Sequence, residues 1–194
     1  MSEHASTDAP RLVLLFSGHR VDPPGRVPAR FSHDKVRSAA AAIERVLDGL
    51  GAGRSDVGLT QGSAGGDLLF AEACLRRGVR LRLLLPDAEA AFLPVSVGAS
   101  ADGVEWLERY RAVRDALEEP PRVLPEAQGD ASTSRFERCN EWLLDSALAW
   151  GAERLRFICL WDGGPGQGPG GTADLVHAVR RRGLPVIRLD VRSL

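Results

Sequence analysis

Three short glycine-rich segments are the part of this sequence best suited to hold an anion. They are FSGHR (16–20), QGSAGGD (61–67) and DGGPGQGPGGT (162–172). Glycine at a tight turn lets the backbone approach a phosphate closely, and the free N–H groups of a following helix donate to it. The segments therefore predict a phosphate-binding site, while the alternative is that glycine simply makes three turns.

Polar side chains flank these glycines. His19 and Arg20 follow the first turn, where they either reach a phosphate or a base or remain solvated. Asp67 and Asp174 fall in the first turns of predicted helices, where a carboxylate caps free N–H groups and complements the helix dipole. Because a carboxylate repels phosphate, these acids would face a ribose hydroxyl or an attacking water if the loops hold a nucleotide.

Arg135, Arg138 and Asn140 open another predicted helix, at about 136–150. An arginine at such a position is able to clamp a phosphate with two parallel hydrogen bonds. All but one of the 25 Lys and Arg residues are arginines, so the alternative is an ordinary solvated face.

Several kinds of chemistry are disfavoured by residue type and spacing. The only lysine, Lys35, follows no phosphate-binding loop and lies in a polar segment, which argues against a phosphate-loop NTPase and a Schiff-base enzyme. The segment FSGHRVDPPG has one glycine in its tight turn, unlike the G-x-G-x-x-G of dinucleotide-binding enzymes. Cys74, Cys139 and Cys159 are scattered, so neither a zinc site nor a disulfide framework is predicted. We predict no metal and no cofactor.

Charge and hydropathy narrow the choice of partners. The formal net charge is −1, from 25 basic and 26 acidic residues, so there is no overall basic field that would imply a nucleic-acid partner. The first ten residues are polar, and no apolar run approaches the roughly 20 residues of a membrane span. We expect a disordered lead over residues 1–10 and a soluble, cytoplasmic protein without membrane contact.

Strands and helices are predicted to alternate along the rest of the chain. Short apolar runs predict six strands, and apolar stripes at three- and four-residue spacing predict five helices. The predicted strands are 12–16, 57–62, 81–85, 122–124, 156–161 and 185–191. The predicted helices are 34–50, 67–77, 104–117, 136–150 and 173–182. The segment 87–103 is predicted as a long connection, either a lid over a ligand or a plain surface excursion.

This alternation predicts the α/β class. We expect one Rossmann-like, three-layer domain over residues 11–194, with a mainly parallel sheet of about six strands and helices on both faces. Ligands of such folds bind beyond the carboxyl ends of the strands. All three glycine-rich segments follow strands, so they should open on one edge of the sheet.

The segments FSGHRVD, QGSAGGDLLFAEA, RFERCNEWL and WDGGPGQGPGGTADLV together resemble the SLOG superfamily, which groups the DNA-processing A proteins with the lonely-guy phosphoribohydrolases. The resemblance spans nearly all of residues 11–191 and is closest to an uncharacterised branch from bacterial signalling and conflict systems. It implies a Rossmannoid nucleotide-binding fold, usually dimeric. Members either cleave the base from a nucleoside monophosphate or sense nucleotide-derived signals.

The resemblance also implies roles by position. The family's first loop is matched by Ser17, Gly18 and Arg20, and its glycine-glycine-acid turn by Gly62, Gly65, Gly66 and Asp67. Its Arg-x-Asn helix start is matched by Arg138 and Asn140. Its Gly-Thr pair is matched by Gly171 and Thr172. The chain departs from the phosphoribohydrolase signature in two places. Pro169 replaces the second glycine of a pair, and Leu175 stands where the signature has glutamate, with Asp174 one residue earlier.

Three functions stay open at this point. The first is a module that binds or senses a nucleotide or nucleotide-derived ligand, as a homodimer. The second is an enzyme that hydrolyses N-glycosidic bonds with Asp174, Asp67 and Arg138 as its catalytic groups. The third is a protein-interaction module that uses the surface near Trp106, Trp142 and Trp150. The residues predicted to contact the ligand are Ser17, Gly18, His19, Arg20, Gly62, Ser63, Gly65, Gly66, Asp67, Arg135, Arg138, Asn140, Asp162, Gly170, Gly171 and Thr172.

Overall fold

The first apolar run of the chain forms the central strand of the sheet. The computed structural model describes residues 9–126, 130, 132–166 and 168–194, so most of the predicted N-terminal lead lies outside the described residues. Strand β1 (Val13–Gly18) pairs in parallel with β2 (Val57–Thr60) on one side and with β5 (Leu155–Leu160) on the other. The remaining strands are β3 (Arg80–Leu85), β4 (Arg122–Val123) and β6 (Val186–Leu189).

The strand order is β4-β3-β2-β1-β5-β6, and every pair is parallel. This confirms the predicted α/β class with a six-stranded sheet. The chain moves outward from β1 to β4 and then returns to the other side of β1, so the order reverses between β1 and β5. Doubly wound sheets bind ligands in the crevice at such a reversal, beyond the carboxyl ends of the strands.

Helices cover both faces of this sheet. In the described ranges they are α1 (Val36–Gly49), α2 (Gly66–Arg76), α3 (Glu89–Ser96), α4 (Gly103–Asp115), α5 (Arg135–Leu148) and α6 (Thr172–Arg181). Leu14 and Phe16 pack with α1, α2 and α4, whereas Val13 and Leu15 pack with α5 and α6. Because successive side chains point to opposite faces and both faces are covered, the run LVLLF is continuously apolar.

One predicted connection is wrong. The segment 87–103 was expected to lack regular structure, but it contains the eight-residue helix α3. Glu89, Ala90 and Ala91 favour a helix, but Pro94 lies inside it and only Phe92 and Ser96 are buried, so the apolar stripe by which a helix is predicted is missing. Its carboxyl end, at Val95 and Ser96, borders the cleft described below.

The structure also corrects the predicted interaction surface. Trp106 and Trp142 are 1% and 7% exposed, so neither side chain is available to a partner, and only Trp150 is half-buried. All three cysteines are free and buried. None of the helices in the described part of the chain is long and apolar enough to span a bilayer.

Candidate functional site

A cleft of about 300 Å³ lies where the strand order reverses, at the carboxyl ends of β1, β2 and β5. The three glycine-rich segments line it together, as predicted: the first loop with residues 17–20, the second with Gln61, Ser63 and Asp67, and the third with Gly166 and 168–173. Arg30, Val95, Ser96 and Phe136 complete the wall.

Asp67 ties the first loop to the second. Its Oδ1 accepts a hydrogen bond from the Gly18 N–H at 3.0 Å, and its Oδ2 accepts one from the Ser63 N–H at 3.2 Å. The residue is only 5% exposed, and burial raises the pKa of this carboxyl to about 7, although both hydrogen bonds favour the charged form. Asp67 thus lines the cleft with a carboxyl group that changes charge near neutral pH.

His19 ties the first loop to the third. Its Nε2 lies 3.2 Å from the backbone nitrogen of Asp162, within hydrogen-bonding distance. Burial, with a smaller contribution from the positive charge of Arg30, lowers the pKa of His19 to about 4. The Asp162 carboxylate, 3.1 Å from the same nitrogen, accepts the Gly164 N–H and shapes the turn.

Asn140 ties the second loop to the third. Its Oδ1 accepts a hydrogen bond from the Gln61 side chain at 3.0 Å, and its Nδ2 donates to the carbonyls of Gly170 and Gly171 at 2.9 and 3.2 Å. The Ser17 hydroxyl lies 3.2 Å from that of Thr172 and joins the first loop to the third again. We call the three loops with these ties the loop frame, and it holds the cleft open before any ligand binds.

The glycines of the first two loops are required by packing. A Cβ on Gly18 would lie 2.9 Å from the Cα of Gly66, and one on Gly65, whose φ is +100°, would lie 2.7 Å from the Val21 nitrogen. In contrast, a Cβ on Gly171 would meet nothing nearer than 3.7 Å. Packing therefore requires glycine where β1 crosses α2. It also requires Gly170 in the third loop, whose φ is +83° and whose added Cβ would clash with Phe136, whereas Gly171 leaves room for a ligand.

Several predicted contact residues lie outside the cleft wall. The Asp174 carboxylate accepts the Gly170 N–H at 2.7 Å and faces a different surface pocket. Arg135 donates to the carbonyl of Pro86, and Arg138 to that of Glu126. Gly62, with φ of +84°, packs against Leu83 and Tyr110. The ligand-binding and catalytic roles of these residues stay predictions, and neither Asp174 nor Arg138 borders the cleft.

Sequence reasoning missed Arg30, which enters the cleft from the segment between β1 and α1. Asp22 folds this segment back: its Oδ2 accepts the backbone N–H groups of Arg30 and Phe31 at 2.7 and 2.8 Å, and its Oδ1 lies 3.1 Å from Arg26. A buried aspartate before a Pro-Pro-Gly turn is the signal in the sequence, but it does not indicate which side chain the turn presents.

Positively charged groups lie at the cleft wall beside the Asp67 carboxyl, although the whole chain carries −1. Arg20 and Arg30 lie at this wall, and α6 begins there with Thr172 and Ala173. Within the described ranges, the backbone N–H groups of Thr172 and Ala173 have no protein acceptor, and Gly171 offers no side-chain cap. The hydroxyls of Ser17, Ser63 and Thr172 add neutral hydrogen-bonding groups. This arrangement is able to hold a polar ligand with an anionic group.

No family model and no curated protein matches the chain. Among solved structures, the following protein is similar to this chain. DNA processing protein A (DprA) from Streptococcus pneumoniae is similar over 93% of this chain, with 14% sequence identity and a TM-score of 0.41. The chain spans 59% of the length of that protein.

Proposed function

We propose that the chain binds a nucleotide, or a nucleotide-derived small ligand, in the cleft between β1 and β5, and serves as a sensor or processing module in bacterial signalling. The observation that carries this proposal is the loop frame, in which three loops are tied together around a cleft at the reversal of strand order. A preorganised site of this kind binds a ligand without first having to order its own loops.

The size and lining of the cleft support a ligand of nucleotide class. A volume of about 300 Å³ is at the lower end of the range for small-molecule pockets, which suits one nucleotide unit. The free N–H groups at the start of α6 and its dipole favour a phosphate, and the hydroxyls of Ser17 and Thr172 suit the hydroxyls of a ribose.

Binding of a nucleotide panel to the purified chain tests this proposal. A ligand present at 100 times its Kd stabilises the folded state by about 2.7 kcal/mol, which raises the Tm by about 5–10 °C for a chain of this size. Thr172→Val removes a hydroxyl at the cleft wall and should weaken binding about three- to tenfold, whereas Thr133→Val, at an exposed site, should not. If no nucleotide raises the Tm and none co-purifies by mass spectrometry, the proposal is wrong.

Asp67 favours a second candidate function, hydrolysis of an N-glycosidic bond. A carboxyl group with a pKa of about 7 at the cleft wall is able to accept a proton from water near neutral pH. The water oxygen would bond to the anomeric carbon, the carbon–nitrogen bond would break, and the base would leave with a proton. Release of free base from nucleoside monophosphates, abolished by Asp67→Asn and retained in Asp174→Asn, would support this activity. Absence of free base would contradict it.

The assembly state is a separate part of the proposal. We infer a homodimer from the resemblance of the sequence segments to a family that is usually dimeric. Light scattering coupled to size-exclusion chromatography measures the mass directly and should give twice the 20.9 kDa of the chain. A mass of one chain at all concentrations would contradict the dimer and leave the cleft proposal intact.

A further inference from the structure

Arg30 differs from Arg20 because its guanidinium has no partner among the residues that the structure describes. Across the described ranges it makes no hydrogen bond or ion pair, and its Nε is shielded from solvent without an acceptor. Arg20 donates to the Val95 carbonyl at 2.6 Å, and Arg26 lies 3.1 Å from a carboxylate oxygen of Asp22. Arg30 is half-buried and lines the cleft with its Nε donor unused in the described structure.

This placement is unfavourable for the protein alone. A shielded donor without an acceptor loses its hydration and gains nothing in return. Burial lowers the pKa of Arg30, and repulsion from Arg26 and Arg20 lowers it further, while Asp22 and Asp162 offset only part of this. The nearest acid of its own segment, Asp22, already accepts the N–H groups of Arg30 and Phe31. An anion in the cleft would relieve both the unused donor and the repulsion.

The backbone, and not the side chain, fixes Arg30 in position. Its own N–H is held by Asp22 at 2.7 Å, so the guanidinium is presented to the cleft without being tied down. Arg20 reaches the same cleft from the end of β1, and an antiparallel bridge between Arg20 and Gly65 anchors its backbone. Two arginines from separate segments thus line the same cleft, each with its backbone held by other residues.

We propose that Arg20 and Arg30 form an anion clamp that binds the terminal phosphate of the ligand. This rests on the proposed function in that the phosphate belongs to a nucleotide. A guanidinium group binds two phosphate oxygens at once. Two guanidinium groups match the double negative charge of a terminal phosphate better than the single charge of an internal diester. The ligand class is therefore a nucleotide with a free terminal phosphate, and inorganic phosphate shares the same chemistry.

The clamp is tested by Arg30→Gln, with Arg37→Gln on the exposed side of α1 as the matched control. Calorimetric titrations at low salt would compare adenosine and guanosine 5′-monophosphates, their parent nucleosides and inorganic phosphate. Loss of a charge-assisted hydrogen bond should weaken monophosphate binding at least tenfold in Arg30→Gln. Nucleoside affinity should be unchanged, and Arg37→Gln should behave as the wild type. The Tm of unliganded Arg30→Gln should stay level or rise, because a repulsive charge has been removed.

The outcomes separate the clamp from the proposed function. Unchanged monophosphate affinity, an equal loss for nucleoside and monophosphate, or a lower Tm without ligand would each show that the clamp is wrong. If the wild type binds inorganic phosphate through Arg30 but no nucleotide, the clamp stands and the nucleotide proposal fails. If the wild type and Arg30→Gln bind nucleosides and nucleotides equally well, the proposed nucleotide binding is supported and the clamp is wrong. If the wild type binds none of these probes, both are wrong.

Discussion

At the scale of single residues, the loop frame contains two buried ionisable groups whose pKa values are displaced in opposite directions. The pKa of Asp67 is raised from 3.8 to about 7, and that of His19 is lowered from 6.5 to about 4, in both cases mainly by burial. Each group is neutral over much of the pH range between these values. Because one group is an acid and the other a base, Asp67 makes the free energy of unfolding fall as the pH rises, and His19 makes it fall as the pH decreases.

The folded state binds the Asp67 proton more tightly than the unfolded state does. The resulting stabilisation is complete below pH 3.8 and is lost as the pH rises through 7, to a total on the order of 4 kcal/mol. The folded state binds a proton on His19 less tightly than the unfolded state. That stabilisation is complete above pH 6.5 and is lost as the pH falls through 4, to a total on the order of 3 kcal/mol.

Because the two contributions oppose each other between about pH 4 and pH 6.5, each is masked in the wild type. Asp67→Asn removes the Asp67 contribution and leaves that of His19. The free energy of unfolding of this variant should therefore fall by about 2–3 kcal/mol, relative to that of the wild type, as the pH falls from 7 to 4.5. His19→Gln should show the reverse, with stability falling by a similar amount as the pH rises. Urea unfolding at a series of pH values measures both slopes, and variants that merely parallel the wild type would contradict the assigned shifts.

At the scale of elements, strand β1 and helix α2 meet backbone to backbone in the site. A Cβ on Gly66 would lie 2.8 Å from the Cα of Gly18, two backbones with no flexible side chain between them. The start of α6 is different: Gly171 has a φ of −77°, which any residue adopts, and a Cβ there would be 3.7 Å from its nearest neighbour. Backbone packing therefore requires glycine at position 66 but not at position 171, although both residues lie at the start of a helix.

Alanine substitutions at Gly66 and Gly171 should distinguish a packing requirement from space that a ligand occupies. We expect Gly66→Ala to lower the free energy of unfolding by about 1–3 kcal/mol, because the strand and the helix must move apart. Gly171→Ala should change it by no more than about 0.5 kcal/mol, while its methyl group obstructs a ligand at the start of α6 and weakens nucleotide binding. Urea unfolding and calorimetric titration of both variants measure these effects. Severe destabilisation by Gly171→Ala would show that the start of α6 is packed as tightly as the contact between β1 and α2.

Local patterns predicted most elements but not which groups face the cleft. Alternating apolar runs and helical stripes placed β1, β5, α1 and α6 within one or two residues of their ends, because their burial follows a simple period. Helix α3 was missed because Pro94 and the lack of a buried stripe obscure it. Asp67 and His19 were identified from their positions beside glycines, and Asn140 from its place at the start of a predicted helix. Their hydrogen bonds to other loops depend on the three-dimensional arrangement of those loops. Arg30 depends on the folding of an irregular segment around Asp22, which no periodic pattern describes.

At the scale of the whole molecule, β1 connects the two layers of the core. Its odd-numbered apolar residues pack beneath α5 and α6, its even-numbered ones beneath α1, α2 and α4, and it is hydrogen-bonded to a strand on either side. The cleft lies at the end of this strand, so its loops are attached to both layers. Loss of either layer would expose one face of β1 and disrupt the site.

This arrangement predicts that residues 11–194 unfold in a single cooperative transition, as expected of one domain. Trp106 reports on the α4 side of the sheet, and Trp142 and Trp161 report on the α5 and α6 side. In Trp106→Phe, which removes an indole N–H that has no acceptor in the described structure, fluorescence comes mainly from the second side. Its urea midpoint should equal the midpoint from far-ultraviolet circular dichroism, and the wild type should give coincident curves. Two separate midpoints would mean that the layers lose structure independently and that β1 does not couple them.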